Sequence, residues 1–339
     1  MRRVRSPAAP QQKNIETGAV SPYGDAMTPR IAVILPCYNE EAAIAKTVGE
    51  FRAALPDAAI YVYDNNSSDG TMRVAAAAGA IVRSERMQGK GHVVRRMFAD
   101  VDADIYVMAD GDATYDTAAA PAMVERLLGE GLDMVVGARV HEAAEAYRRG
   151  HVLGNRMMTG VLAGLFGRSF TDIFSGYRVF SRRFVKSFPA LSRGFETETE
   201  ISVHALELRM PVGEIETRYF ARLEGSHSKL STYRDGLRIA RTIATLYRVE
   251  RPMLFFGWIA VALAAVSILL AFPLALTYWQ TGLVPRLPTA VLSTGLMLLA
   301  FLSGFCGLIL DTVVRGRREV RRLAYLAVPG PLAVRDEQR

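Results

Sequence analysis

Residues 107–116 read Val-Met-Ala-Asp-Gly-Asp-Ala-Thr-Tyr-Asp, and this stretch decides the fold because an apolar run ends abruptly on two carboxylates. The apolar run begins earlier, so residues 105–109 are predicted to form a buried strand of a parallel sheet. The strand would deliver Asp110 and Asp112 to its carboxyl end, with only Gly111 between them.

Two carboxylates separated by one glycine can face a single hard cation that keeps open positions for phosphate oxygens. Mg²⁺ or Mn²⁺ held by Asp110 and Asp112 would neutralise the charge that develops as a sugar-diphosphate bond breaks. Asp-Gly-Asp is also ordinary turn chemistry after a strand. These residues alone therefore leave two interpretations open, a metal site and a simple turn.

Two further strands are predicted before this stretch, at residues 31–35 and 59–63, which are apolar and rich in branched side chains. A helix is expected between them, from an N-cap at Asn39 to about Leu55. Strands that alternate with helices form a parallel sheet, whose ligands bind beyond the carboxyl ends of the strands. The polar loops that follow these strands are therefore expected to converge with the loop at 110–114.

Composition and motif content exclude several classes of protein. No Gly-x-Gly-x-x-Gly follows the first strand and no Walker sequence occurs, which argues against a dinucleotide site and a P-loop. The only cysteines are Cys37 and Cys306, and two cysteines are too few for a disulfide framework. The net charge is +7, but residues 1–28 and 312–339 carry most of it. A nearly neutral middle argues against a nucleic-acid partner, and basic ends suit an anionic membrane surface.

Two cations are expected near the same edge of the sheet. Lys90 lies between two glycines, in a loop where backbone and ammonium can approach a phosphate. A simple exposed loop is the alternative for this segment. Arg139 follows a strand predicted at residues 133–137, so it would also reach the rim of the site.

Four motifs resemble, in order and spacing, those of the family 2 glycosyltransferases with the GT-A fold. They are Pro-Cys-Tyr-Asn-Glu at 36–40, Asp-Asn-Asn-Ser-Ser-Asp-Gly-Thr at 64–71, Gly-Lys-Gly at 89–91 and Asp-Gly-Asp at 110–112. The resemblance covers about residues 29–230. It implies an α/β domain with a mostly parallel sheet and a nucleotide-diphosphate sugar as donor.

The resemblance also assigns the nucleotide site. It implies that the first two motifs hold the base and ribose and that Asp110 and Asp112 bind the metal. Asn65 departs from the family, which often has a second aspartate at this position. The predicted nucleotide-binding residues are Pro36, Tyr38, Glu40, Asp64, Asn65, Lys90 and Gly111.

Three later segments resemble those of the dolichyl- and polyprenyl-phosphate glycosyltransferases of this family, such as the dolichol-phosphate mannosyltransferases. They are Asp-Ile-Phe-Ser-Gly-Tyr-Arg at 172–178, Gly-Phe-Glu-Thr-Glu-Thr-Glu at 194–200 and Glu-Gly-Ser-His-Ser-Lys-Leu at 224–230. Tyr177 replaces the usual phenylalanine. The resemblance implies a polyprenyl phosphate as acceptor.

Basic side chains bind phosphate, so a group of them is expected around the lipid headgroup, with solvated surface positions as the alternative. A phosphate monoester has a second pKa near 6 and is largely deprotonated at neutral pH, so the acceptor needs no general base. Glu198 and Asp172 are then structural or orienting, and would be the first bases to consider for an alcohol acceptor. The predicted phosphate ligands are Arg139, Arg178, Arg222 and Lys229, and the predicted catalytic set is Asp110, Asp112, Arg139 and Arg178.

Two segments near the end of the chain, 252–279 and 287–310, carry no charge, and each supplies the roughly 20 apolar residues that cross a bilayer. An amphipathic juxtamembrane helix at 233–251 is expected before them and a basic tail at 311–339 after them. Arginines in these flanks outnumber the single Arg286 of the connecting loop. The positive-inside rule therefore predicts a multi-pass inner-membrane protein whose catalytic domain and termini are cytoplasmic.

The remaining segments are less specific. Residues 1–28 lack the apolar core of a signal peptide and are predicted to be a disordered leader. Residues 151–166 carry apolar side chains at helical spacings, which suits either a helix on the membrane surface or one that faces the core. A homo-oligomer, specifically a tetramer, is suggested by resemblance.

The leading hypothesis is a metal-dependent, inverting transfer of one sugar from a nucleotide-diphosphate donor to a polyprenyl phosphate at the cytoplasmic membrane face. A transferase that acts on a lipid hydroxyl or a growing polysaccharide is the alternative enzyme. Processive synthases carry a Gln-x-x-Arg-Trp segment, whereas the only tryptophans here are Trp258 and Trp279. A non-catalytic membrane scaffold is the alternative from another class.

Overall fold

The computed structural model describes residues 29–141, 170–191, 196–221 and 248–331, together with positions 160, 163, 164 and 245. The leader at 1–28 and the final residues of the tail lie outside this part. So do most of the helix expected at 151–166, most of the juxtamembrane helix at 233–251, and the two predicted phosphate ligands Arg222 and Lys229.

The described chain contains seven strands and eight α-helices, which alternate from β1 to β5. The strands are β1 Ile31–Cys37, β2 Ala59–Asp64, β3 Ile81–Ser84, β4 Ile105–Met108, β5 Met134–His141, β6 Arg178–Ser181 and β7 Val212–Tyr219. The helices are α1 Glu41–Ala54, α2 Thr71–Ala77, α3 Lys90–Asp100, α4 Ala120–Glu130, α5 Arg182–Ser187, α6 Thr197–Glu207, α7 Pro252–Thr281 and α8 Leu287–Leu326.

All seven strands form one sheet in the order β3-β2-β1-β4-β6-β5-β7. Strand β6 is antiparallel to both of its neighbours, and every other pair is parallel. The mostly parallel α/β sheet expected from the sequence is therefore confirmed. Because β6 alone is reversed, its first residues lie at the same edge as the carboxyl ends of the other strands.

Apolar side chains cover both faces of the sheet. On one face, α1 and α4 contribute buried residues such as Phe51 and Leu127. On the other face, α3, α5 and α6 contribute residues such as Phe98, Phe184 and Ile201. A buried parallel sheet requires helices on both faces, which explains why its strands read as continuous apolar runs. The two layers leave the polar strand ends as the open edge of the domain.

Two sequence expectations are corrected by the strand and helix ends. Asn39 is not the N-cap of α1, because its backbone is left-handed (φ 53°) and Glu40 occupies the cap position. The Asn39 carboxamide oxygen instead accepts a hydrogen bond of 2.8 Å from the Ser68 amide. Strand β5 runs to His141, so Arg139 lies within this strand rather than after it.

Helices α7 and α8 are the two helices of the described chain that are long and apolar enough to cross a membrane. Most of their apolar side chains are exposed, and Trp279 is 91 % exposed. Helix α8 does not stop at the end of the uncharged span at Leu310. It continues to Leu326 without a break, so an arginine-rich extension of residues 311–326 leaves the apolar span as helix.

The extension of α8 docks on the sheet domain through buried acids. Glu207, at the end of α6, has a side chain only 2 % exposed and pairs with Arg318 at 2.9 Å and with Arg321. The Tyr325 hydroxyl donates a hydrogen bond of 2.8 Å to Asp133, which is fully buried. Helix α8 and the sheet domain are therefore joined by groups that would be costly to separate.

We expect the double variant Arg318→Ala/Arg321→Ala to lower the free energy of unfolding by about 3 kcal/mol, because it leaves the buried Glu207 carboxylate without a cation. Circular dichroism of the full chain during thermal unfolding in detergent measures the effect. The matched control Arg317→Ala/Arg322→Ala removes two exposed arginines of the same helix and should change stability little. Equal effects of the two variants would contradict the docking described above.

A buried histidine predicts a pH dependence of stability. Burial and then the nearby Arg321 charge lower the pKa of His204 to about 3. The folded state therefore holds a neutral ring, whereas the unfolded chain binds a proton near pH 6.5. Stability is full above pH 6.5 and should fall by up to about 1.4 kcal/mol for each pH unit below it. His204→Leu should flatten the dependence of the melting temperature on pH between 7.5 and 5.5, and an unchanged slope would contradict the assignment.

Candidate functional site

Strand register places the polar loops at one edge. Strand β1 lies between β2 and β4, with Cys37 opposite Asp64 and Ile34 opposite Met108. The loops that follow these three parallel strands therefore leave the sheet at the same end, as expected from the sequence. Arg178, the first residue of the reversed strand β6, also lies opposite Met108. The segment that precedes it thus reaches the same edge.

The loops after β1 and β2 are joined by direct hydrogen bonds. The Asn39 amide donates to the Ser67 hydroxyl at 2.8 Å, and the Glu40 amide donates to the Thr71 hydroxyl at 2.9 Å. The short polar residues of the second loop thereby fix the backbone that leads into α1. Tyr38 is 36 % exposed at this junction, and Pro36 is partly buried. This half of the edge is a preformed polar surface beside an exposed ring.

Asp64 holds an oxygen that is not used within the domain. The side chain is 2 % exposed, and its Oδ2 atom accepts a hydrogen bond of 3.1 Å from the Ser67 amide. In the part of the chain that the structure describes, the buried Oδ1 atom has no hydrogen-bond partner. A buried acceptor without a partner costs free energy, so it suits a ligand that brings an N–H or O–H donor.

Asn65 has partners other than those expected of a nucleotide ligand. Its amide nitrogen donates to the carbonyl oxygens of Glu85 at 2.9 Å and Met87 at 2.8 Å, and its oxygen accepts from the Gly89 amide at 2.7 Å. The carboxamide is occupied by the loop that leads into α3. Asn65 therefore shapes the approach to Lys90, because an amide can both donate to carbonyls and accept from an amide.

Asp110, Gly111 and Asp112 follow β4 in a tightly packed turn. A side-chain carbon at Gly111 would lie 2.4 Å from the Cys37 sulfur, so glycine is required for the turn to approach β1. Asp112 is 3 % exposed, and its Oδ1 atom accepts a hydrogen bond of 2.6 Å from the Thr114 hydroxyl. Asp110 is more accessible, with a side chain 32 % exposed.

Lys90 links this turn to α6. Its ammonium lies 2.5 Å from an oxygen of Asp110 and 2.5 Å from an oxygen of Glu198, and its side chain is 12 % exposed. Although burial opposes the charge, the two carboxylates raise the pKa of Lys90. Sequence analysis placed Lys90 at the phosphates and left Glu198 as a structural or orienting residue. The structure brings both residues together with a predicted metal ligand.

Tyr115 and Gly176 belong to the same cluster and were not among the predicted site residues. The Gly176 amide donates a hydrogen bond of 2.9 Å to the Tyr115 hydroxyl. A side-chain carbon at Gly176 would lie 2.8 Å from Asp110 Oδ2, so glycine leaves room for that carboxylate. Burial and the Asp110 charge raise the pKa of Tyr115, which keeps the phenol neutral. Tyr115 lies in the stretch 107–116 and Gly176 in the motif 172–178, so these two motifs were the sequence signal that could have identified them.

Arg139 and Asp172 form a second charged pair at the edge. The guanidinium binds the carboxylate through two bonds, of 2.6 Å and 2.9 Å, and its carbon lies 5.4 Å from the centre of the Tyr219 ring. Burial opposes the charge of Asp172, but its hydrogen bond and ion pair with Arg139 lower the pKa below its usual value. Arg139 thus reaches the expected edge, held in place by a bidentate contact.

Arg178, which is predicted to bind the lipid phosphate, lies in the interior of the domain. It is fully buried, and its guanidinium donates to the carbonyl oxygens of Ser175 and Ile173 at 2.9 Å and 2.7 Å and to the Ser202 hydroxyl at 3.0 Å. Desolvation lowers the pKa of Arg178 to about 10. The side chain of Arg178 contacts α6 through Ser202. Its bonds to the carbonyl oxygens of Ser175 and Ile173 fix the loop that precedes β6.

The carboxylates suit a hard divalent cation that is shared with a phosphorylated ligand. In the described residues no group of three or more His, Cys, Asp or Glu side chains is arranged to hold a metal by itself. Mg²⁺ is commonly bound by one or two carboxylates together with substrate phosphates and water. Asp110 and Asp112 meet this requirement, since both are oxygen donors of one turn at the ligand-binding edge.

Comparison with known proteins establishes the family. Residues 32–188 match the model of "Glycosyl transferase family 2". The chain is 31 % identical over 291 residues to glycosyltransferase AglJ of Haloferax volcanii, which covers 85 % of this chain and 95 % of that protein. The protein therefore belongs to glycosyltransferase family 2.

Two other relatives and a solved structure extend the comparison. A shorter uncharacterized protein of Shigella flexneri is 56 % identical over 155 residues, 46 % of this chain and 95 % of that protein. A dolichyl-phosphate hexose transferase of Haloferax volcanii is 25 % identical over 221 residues, 65 % of this chain and 95 % of its own. Glucosyl-3-phosphoglycerate synthase of Mycobacterium tuberculosis, solved with Mn²⁺, UDP-glucose and phosphoglyceric acid, aligns with a TM-score of 0.52 and 25 % identity over 65 % of this chain and 79 % of that one.

The burial of Arg178 leads to a stability prediction. Arg178→Lys should lower the free energy of unfolding by about 2 to 3 kcal/mol, because an ammonium cannot reach the three acceptors of the guanidinium fork. Thermal unfolding followed by circular dichroism measures the loss. The control Arg182→Lys changes a partly exposed neighbour and should stay within about 0.5 kcal/mol. An Arg178→Lys protein of unchanged stability that binds the acceptor more weakly would instead support a role of Arg178 in binding the lipid phosphate.

Proposed function

We propose that this family 2 glycosyltransferase moves a hexose from a nucleotide-diphosphate sugar to a polyprenyl phosphate at the cytoplasmic face of the membrane. Support for the donor comes from the UDP-glucose complex of the structural neighbour. Support for the acceptor comes from the relative named dolichyl-phosphate hexose transferase. Two apolar helices attached to the same domain suit a lipid acceptor.

One observation carries the donor half of the proposal. Asp64 is the last residue of β2 and Asp110 follows β4, and these two strands flank β1. Their backbones are therefore roughly 10 Å apart, which is two strand spacings. An unpaired carboxylate oxygen lies on one side and the Asp-Gly-Asp turn on the other. A nucleoside diphosphate can place its base at Asp64 and its phosphates at the turn, with Pro36, Tyr38 and Glu40 between them.

Asp110 and Asp112 would hold Mg²⁺ or Mn²⁺ in this proposal. The bound ion supplies a positive charge at the diphosphate oxygens, where charge builds as the sugar leaves. The neighbour solved with Mn²⁺ and UDP-glucose supports a divalent cation in this fold. Lys90 adds a second positive charge on the same side of the turn, because it lies against Asp110.

The acceptor chemistry needs no general base. An oxygen of the lipid phosphate attacks the anomeric carbon, and the bond from that carbon to the donor diphosphate breaks with its electron pair on the leaving group. The configuration inverts, because attack and departure are in line. The two acids that would serve as base for a hydroxyl are engaged, Glu198 with Lys90 and Asp172 with Arg139. This arrangement favours an acceptor that is already ionised.

Membrane orientation follows from charge. Arginines flank α7 and the apolar part of α8 on the side of the catalytic domain, and Arg286 is alone in the connecting loop. The positive-inside rule places the domain and both termini in the cytoplasm. Arg139, together with Arg222 and Lys229 outside the described residues, would receive the lipid phosphate. A homo-oligomer remains a prediction from resemblance.

A product assay distinguishes this function from its alternatives. The purified full chain, Mg²⁺ or Mn²⁺ and undecaprenyl phosphate are mixed with a panel of labelled nucleotide sugars. A sugar joined to phosphate is released by mild acid, whereas a glycoside of a lipid hydroxyl resists it. Formation of a mild-acid-labile glycolipid supports the proposal. An acid-stable product would favour the hydroxyl transferase, and no product with the whole panel would favour the scaffold.

Removal of a carboxylate at the turn tests the assigned site. Asp112→Ala should lower the rate of glycolipid formation by more than about 100-fold, since an electrostatic group lost from a preorganised site costs about 3 kcal/mol or more. Initial rates measured in detergent, with membrane insertion checked by fractionation, give the result. The control Asp57→Ala removes an exposed aspartate at the opposite end of the sheet and should retain activity. Full turnover by Asp112→Ala would exclude this metal assignment.

A further inference from the structure

Lys90 is placed between two carboxylates that come from different elements. Its ammonium is equally close, at 2.5 Å, to Asp110 after β4 and to Glu198 in the first turn of α6. We propose that the Lys90 ammonium stays paired with the Asp110 carboxylate until a divalent cation binds to that carboxylate. Glu198 is the positioning residue that then keeps the ammonium in the site. The inference rests on the proposed metal role of Asp110 and adds a change of partner by the Lys90 ammonium.

Charge balance supports an exchange of partners. The ammonium of Lys90 contacts the carboxylates of Asp110 and Glu198, and Asp112 adds a third carboxylate in the same turn as Asp110. The three carboxylates and one ammonium give this cluster of four side chains a formal charge of −2. One divalent cation would bring the cluster close to neutrality, provided that Lys90 remains within it.

The geometry allows the ammonium to move while the backbone stays in place. Lys90 is the first residue of α3, and Gly89 before it has φ 131°, a backbone conformation that residues other than glycine rarely adopt. The Gly89 amide is held by Asn65 at 2.7 Å. The lysine side chain has four flexible carbons and a compact charge, so its end can shift between nearby acceptors. A rigid start and a flexible end suit a cation that changes partner.

Glu198 is equally well anchored. Its side chain is 7 % exposed, and its carbonyl oxygen accepts a hydrogen bond of 2.9 Å from the Ser202 hydroxyl, which is itself bonded to Arg178 at 3.0 Å. The buried Arg178 thus supports the helix that carries Glu198. Among the described residues, Lys90 forms ion pairs with Asp110 and Glu198. Without Glu198, the ammonium displaced by a cation would therefore compete with that cation for Asp110.

The test measures Mn²⁺ affinity, with no substrate turnover required. Mn²⁺ is titrated into the purified full chain in detergent with a fixed concentration of UDP or GDP, whose phosphates complete the coordination of an ion held by two carboxylates. The free ion is followed by electron paramagnetic resonance against a blank that contains the nucleotide alone. Glu198→Gln should raise the Kd for Mn²⁺ about tenfold, and Lys90→Met should lower it. The control Glu196→Gln removes the same charge from an exposed position two residues earlier and should change the Kd less than about twofold.

A double-mutant cycle separates partner exchange from simple electrostatics. Under exchange, Glu198→Gln should have little effect in the Lys90→Met background, because no ammonium remains to be received. An equal tenfold loss in both backgrounds would overturn the exchange and leave Glu198 as a distant negative charge. Lys90→Gln serves in place of Lys90→Met if the latter unfolds, as judged by its melting curve.

The outcomes also separate this inference from the proposed function. Failure of the unaltered protein to bind Mn²⁺ would overturn the metal role of Asp110, and the exchange with it. Binding by the unaltered protein and by Glu198→Gln with the same Kd would overturn only the exchange. A raised Kd in Glu198→Gln that is absent in the double variant supports both.

Discussion

The carboxylates at the edge of the sheet must be balanced by positive charge, and the rest of the site follows from this constraint. Parallel strands bring Asp64 and Asp110 to one edge, and the turn after β4 adds Asp112. The protein supplies one ammonium from the start of α3 to these acids. A site of this composition suits ligands that bring a divalent cation and hydrogen-bond donors, as the proposed donor would.

The reversed strand β6 connects the two halves of the site. Because it runs against β4 and β5, the loop before it returns to the carboxyl edge, with Gly176 against Asp110 and Asp172 against Arg139. Arg178 holds this loop from beneath and bonds to Ser202 of α6. One buried guanidinium therefore supports both the loop and the helix that carries Glu198.

The two apolar helices contact the sheet domain through the extension of α8. Helix α8 carries its arginines past the apolar span and binds Glu207, and its Tyr325 reaches Asp133. A helix that is continuous from the apolar span to the domain restricts how the domain can tilt relative to the span. The docking also explains why acids that are nearly inaccessible to water occur at the end of α6 and the start of β5, far from the ligand edge.

Local patterns in the sequence determined the family, the alternation of strands and helices, the two apolar spans and the convergence of the polar loops. These features depend on periodicity and on residues close together in the chain, so they can be predicted without coordinates. The partners of individual charges could not. Glu207 and Arg321 are 114 residues apart and Asp133 and Tyr325 are 192 apart. Whether an arginine meets a phosphate, as expected of Arg178, or lies buried under a helix depends on which side of a strand it occupies in the packed sheet. Only the tertiary structure decided those pairings, because electrostatic partners are chosen by distance in space and by burial, and neither is written in local sequence.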